Sequence, residues 1–83
     1  MFVERRAFPR TTVRRPAEIV IVTSGLRTSS YTCTVVNCSE GGALLEVGKL
    51  TVPDEFQLNF QGASLAARVV GRTGDQVRVQ FER

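Results

Sequence analysis

The sequence predicts an all-β domain: a small antiparallel barrel preceded by an extended, arginine-rich N-terminal tail. Two observations on the chain itself carry the prediction, and a third, its length, limits it. Beyond residue 15, runs rich in β-branched residues alternate with turns containing Gly, Asn and Ser, and no run shows a helical period. Two of those runs, Glu55–Gln61 and Gln76–Glu82, alternate apolar and polar residues strictly. At 83 residues the chain has room for one core, which buries roughly 60–65% of the unfolded surface. Closing the sheet gives all the apolar faces one interior and removes exposed edges.

The elements follow in order. Ala17–Thr23 (AEIVIVT) is the first β-type run and leads into a polar loop containing Gly25. Tyr31–Val36 puts Tyr31, Cys33 and Val35 on one face and Thr32, Thr34 and Val36 on the other. Asn37–Gly42 (NCSEGG) is a turn by composition. Ala43–Val47 is a short strand ended by Gly48, and Glu55–Gln61 points Phe56, Leu58 and Phe60 inward. Ser64–Val70 reads as a strand whose inward face is ambiguous. A hairpin connection containing Gly71 and Gly74 then leads to Gln76–Glu82, with Val77, Val79 and Phe81 toward the core.

Charge divides the chain differently. Residues 1–15 hold five arginines against Glu4, a net of +4, while residues 16–83 hold six basic and seven acidic groups. The division expected is a flexible arginine-rich tail over 1–15 and a single barrel domain over 16–83. Ten of the eleven basic residues are arginine, which favours planar, two-pronged recognition of phosphate or guanine.

Several function classes fall away. The chain has no His, and no nucleophile sits beside a base, so catalysis is not expected. Cys33 and Cys38 lack the spacing and the second pair of a zinc site, and are expected to stay reduced. No apolar run reaches the roughly 18 residues of a membrane span, and MFVERRAFPR has no signal-peptide core. A cytoplasmic location without membrane insertion is expected. Phe56, Leu58 and Phe60 share one inward face, which argues against a base-stacking platform for DNA or RNA.

Two clusters remain. Arg5-Arg6-Ala7-Phe8-Pro9-Arg10 precedes the first strand, and Pro9 biases Phe8 away from helix. Asn37-Cys38-Ser39-Glu40-Gly41-Gly42 sets an amide and a hydroxyl two residues apart ahead of two glycines. Taken singly, the first reads as a solvated anion-binding arm and the second as an ordinary turn. Taken together, Arg6 and Arg10 match the RxxxR element of PilZ domains, and Asn37, Ser39 and Gly42 match their [DN]xSxxG element. The order is the family's, with Ala17–Thr23 between them, and VVGRTGDQVRVQF resembles its closing hairpin.

The resemblance implies a six-stranded barrel that binds the second messenger cyclic di-GMP, with the arginine tail folding over the ligand against the second motif. It implies Arg5, Arg6, Arg10, Asn37, Ser39 and Gly42 as ligand-binding residues. Arginine forks suit guanine edges and phosphates, and Asn37 and Ser39 would supply amide and hydroxyl partners. Gly42 would supply absence of bulk and tolerance of positive φ. Arg5 would favour a stacked pair of ligands. The family's motif often begins with Asp, and Asn37 accepts through one amide oxygen only, which implies weaker binding. Most members continue into a helix after the last strand, whereas this sequence stops at Phe81-Glu82-Arg83. No cofactor is expected beyond the ligand, and a downstream protein would read the liganded surface. The alternatives are a PilZ-fold protein-interaction module that binds no nucleotide, and a small barrel binding single-stranded nucleic acid.

Overall fold

A computed structural model of the chain describes residues 11–23, 25 and 27–82. Six strands form a closed antiparallel barrel: β1 (Thr11–Thr23), β2 (Arg27–Cys38), β3 (Gly42–Glu46), β4 (Glu55–Phe60), β5 (Ala63–Thr73) and β6 (Gln76–Glu82). Around the barrel they run β1-β2-β3-β6-β5-β4, and β4 closes onto β1 through the rungs Glu18↔Asn59, Ile19↔Leu58 and Val20↔Gln57. The all-β class and the barrel agree with the sequence reading.

The strand limits differ at several points. β1 starts at Thr11, ahead of the run Ala17–Thr23, and β2 is twice as long as the run Tyr31–Val36. Hydroxyl-rich and arginine-rich stretches that look like loop in isolation are extended because β1 and β2 pair along almost their whole length, Thr11↔Cys38 to Thr23↔Arg27. Asn37 and Cys38 consequently end a strand instead of opening a turn, and Gly42 begins β3.

The alternating residues form the core. Ile19, Val35, Leu45 and Leu58 are fully buried, and Cys33, Phe56, Phe60, Ala67, Val77 and Val79 pack with them. Burying a large apolar side chain contributes about 1.5–3 kcal/mol, so this inward stripe carries the fold. The connection from β3 to β4 crosses between non-neighbouring strands and sends Val52 into the same core.

Two hairpins are tight. Gln61 and Gly62 join β4 to β5 with φ of 53° and 81°, the double left-handed signature of a type I′ turn. Gly74 and Asp75 join β5 to β6, where the sequence placed a hairpin.

Three irregularities in register interrupt the alternation. β1 carries one extra residue between Thr12 and Arg15, where Arg14 has a φ of 42°. β2 carries one between Val35 and Asn37, opposite β3. β5 carries one between Val69 and Gly71, opposite β6. Such bulges re-aim the side chains that follow them, and the last two flank one patch of the barrel's outer surface.

Candidate functional site

The patch is built around the turn Ser39-Glu40-Gly41 between β2 and β3. Its backbone is fixed locally. The Ser39 N–H donates to the Gly42 carbonyl at 2.9 Å, and the Ser39 hydroxyl donates to the same oxygen at 3.4 Å. The Phe81 N–H donates to the Gly41 carbonyl at 2.9 Å, which ties the turn to the last strand. With its proton used inside the turn, the Ser39 oxygen still offers its lone pairs as acceptors.

Gly42 sits on the rung Gly42↔Gln80, and its φ is not left-handed. The expectation that it serves by tolerating positive φ is therefore corrected. What it supplies is space, because a Cβ there would run into the Val79 backbone carbonyl oxygen.

Asn37 owes its position to the bulge in β2. Val35 pairs with Leu45, and both point into the core. Uninterrupted alternation would send Asn37 inward beside Val35. The extra residue, Val36, instead sets Asn37 opposite the outward-facing Leu44. Asn37 is partly buried there, and its amide has no hydrogen-bond partner among the described residues.

Asn37, Ser39 and Gly42 line one open cavity of about 300 Å³, together with Val70, Arg78 and Gln80. Among the described residues no carboxylate lines it, and Arg78 is the one charged residue that does. The remaining described arginines with ion pairs lie elsewhere: Arg14 with Glu46 at 3.5 Å, Arg68 with Glu82 at 3.2 Å and Arg72 with Asp54 at 3.1 Å. Those pairs are exposed and contribute at most about 1 kcal/mol each. A concave surface offering an amide, hydroxyl lone pairs and a guanidinium, without an acid, is suited to an anion that also presents hydrogen-bonding edges.

Among the six residues predicted for the site, the structure brings Asn37, Ser39 and Gly42 together. Arg5, Arg6 and Arg10 lie outside the described residues. The described chain begins at Thr11, which pairs with Cys38, the residue after Asn37. Arg78 belongs to neither sequence motif. The signal that would have found it is its register, opposite Leu44 on β3 and Gly71 on β5, which no local pattern contains. Tyr31, which the alternation places on one face with Cys33 and Val35, is exposed and does not line the cavity.

The cysteines play no evident part. Both are free thiols. Burial pushes Cys33 up to about 11 and raises Cys38 as well, so neither is an activated thiolate. Among the described residues no three His, Cys, Asp or Glu side chains gather as a metal cluster, and no helix is long and apolar enough to cross a membrane.

No curated protein matches the sequence. The PilZ domain, a cyclic di-GMP-binding module and not an enzyme family, matches residues 4–83. The match takes in both motifs, the barrel that carries the second of them and the closing hairpin. The chain belongs to the PilZ domain family.

Proposed function

We propose that this chain is a cyclic di-GMP receptor that works as an adaptor. The observation carrying the reading is that Asn37, Ser39 and Gly42 share one cavity on the outer wall of the barrel, with no acid among its described lining residues. Cyclic di-GMP presents two phosphates and two guanine edges, and the cavity answers with groups of both kinds. Arg6 and Arg10, with Arg5 beside them, bring guanidinium forks from the segment that precedes Thr11. The pairing of Thr11 with Cys38 supports this, since it sets the start of the described chain beside the turn. Ligand then draws the arginines down over the Asn37–Gly42 surface and changes the face that a partner protein reads. Holding them there costs conformational entropy, so binding is moderate in strength and weakens with salt.

The test is a calorimetric titration of the chain with cyclic di-GMP, alongside Arg10→Ala and Asn37→Ala. Saturable heat is expected for the wild type and none for Arg10→Ala, with the barrel still folded by circular dichroism. Asn37→Ala should weaken binding, and the molar ratio decides between one ligand and the stacked pair that Arg5 favours. Wild-type binding by Arg10→Ala refutes the role given to the arginines. A wild-type chain that takes up no cyclic di-GMP refutes the reading, and the protein-interaction module then stands in its place.

A further inference from the structure

We infer that Arg78 is a ligand-binding residue supplied by the barrel itself, and that its guanidinium holds a phosphate of the cyclic dinucleotide. The inference rests on the reading of this cavity as the cyclic di-GMP site. It adds a cation that neither sequence motif contains.

Four observations converge on Arg78. It lines the cavity shared by Asn37 and Ser39, and it also lines a neighbouring hollow of about 270 Å³ beside Leu44, Gly71 and Gln76. Neither cavity has an acidic lining residue among the described residues. Arg14, Arg68 and Arg72 each sit within 4 Å of a carboxylate, whereas Arg15, Arg27 and Arg78 make no ion pair among the described residues, and of these three Arg78 is the one that lines the cavity. Its flanks are also open. Across β3 it faces Leu44, and across β5 it faces Gly71, where the nearest approach to an added Cβ would be Arg78's own Cβ at 3.7 Å.

The bulge in β5 produces that open flank. Without the extra residue, Val70 would stand opposite Arg78, next to the Val69↔Val79 rung. With it, glycine takes the place, and Val70 moves out to the cavity's edge. An arginine on a strand ordinarily lays its stem along neighbours and pairs with an acid. Here it has a glycine on one side, a leucine on the other and no acid among the described residues, so none of these takes up its five N–H donors and they can meet an incoming anion. A phosphate accepts two of them in parallel, which a lysine cannot reproduce.

The test compares cyclic di-GMP affinity in the wild type, Arg78→Ala, Arg78→Lys and Arg68→Ala. Arg78 and Arg68 are both exposed, and each alanine variant removes one positive charge, so Arg68→Ala controls for general attraction. Arg78→Ala should weaken binding about tenfold or more, the loss expected for a hydrogen bond to a charged group. Arg78→Lys should fall between it and the wild type, and Arg68→Ala should stay within about twofold of the wild type. The gap between wild type and Arg78→Ala should narrow as salt is raised. An Arg78→Ala affinity equal to that of the wild type or of Arg68→Ala overturns the inference and leaves the receptor reading intact. A wild-type chain that does not bind overturns both.

Discussion

Replacing Gly42 with alanine tests the account of the turn most directly. An added Cβ would meet the Val79 carbonyl oxygen, a backbone atom of the strand to which β3 is paired. That oxygen cannot rotate away as a side chain would, so the β3–β6 rung itself must open. Forcing a methyl group into a filled space costs about 1–3 kcal/mol. Removing glycine from a strand returns roughly 0.5–1 kcal/mol, leaving a net loss of about 1–2 kcal/mol. A domain of this size has a stability of about 4–12 kcal/mol, and each kcal/mol moves its melting temperature by about 4–8 °C. Gly42→Ala should therefore melt roughly 5–15 °C below the wild type and unfold at lower urea. Gly41→Ala is the control, because nothing lies within 4 Å of a Cβ there and its φ is not left-handed. It should stay within about 0.5 kcal/mol of the wild type. If both variants melt together, the steric account of Gly42 is wrong, and its place in the motif must come from contact with ligand alone.

Two further outcomes concern the barrel. Gln61 holds a left-handed φ of 53° in front of Gly62, a position that suits asparagine in a type I′ turn. Gln61→Asn should raise stability by about 0.5–1 kcal/mol in urea unfolding, and a lower midpoint would contradict the turn assignment. Burial raises the Cys33 thiol from 9.0 to about 11, so between those values the unfolded chain loses this proton while the folded chain keeps it. Stability should accordingly be unaffected by this group below pH 9 and fall as pH rises toward 11. Cys33→Ala, although less stable, should show a flatter profile over that window. Thiol labelling of the native wild type should modify Cys38 well before Cys33, and equal rates would refute the burial of Cys33.

The strands most legible in the sequence are those with regular pleating. Gln76–Glu82 has the same limits in both readings, and Phe56, Leu58 and Phe60 lie in the core as their alternation demands. The barrel was legible because those stripes need a common interior. Legibility fails where a bulge breaks the period. The inward face of Ser64–Val70 looked ambiguous because Ala66 and Val70 are apolar but exposed, Val70 as the extra residue of a bulge after which Gly71 stands opposite Arg78. Asn37 faces outward for the same reason, since a period of two carried through Val36 would bury it. The second motif was legible as residue types, but its partner Arg78 was not. Arg78 reaches the cavity through strand order, with β3 lying beside β6 and not beside β4, and such long-range pairing leaves no local trace.

The two ends of the described chain meet at one turn. Thr11 pairs with Cys38 just before Ser39, and the Phe81 N–H is bonded to Gly41 just after it. Whatever fills the cavity therefore sits against the turn that both ends of the described chain adjoin. Fluorophores attached at Thr11 and Glu82 would both stand near this turn and could follow it without a label on the barrel wall. The same placement sets a rule for engineering: a segment inserted at Gln61–Gly62 enters through a hairpin that lines none of the site's cavity.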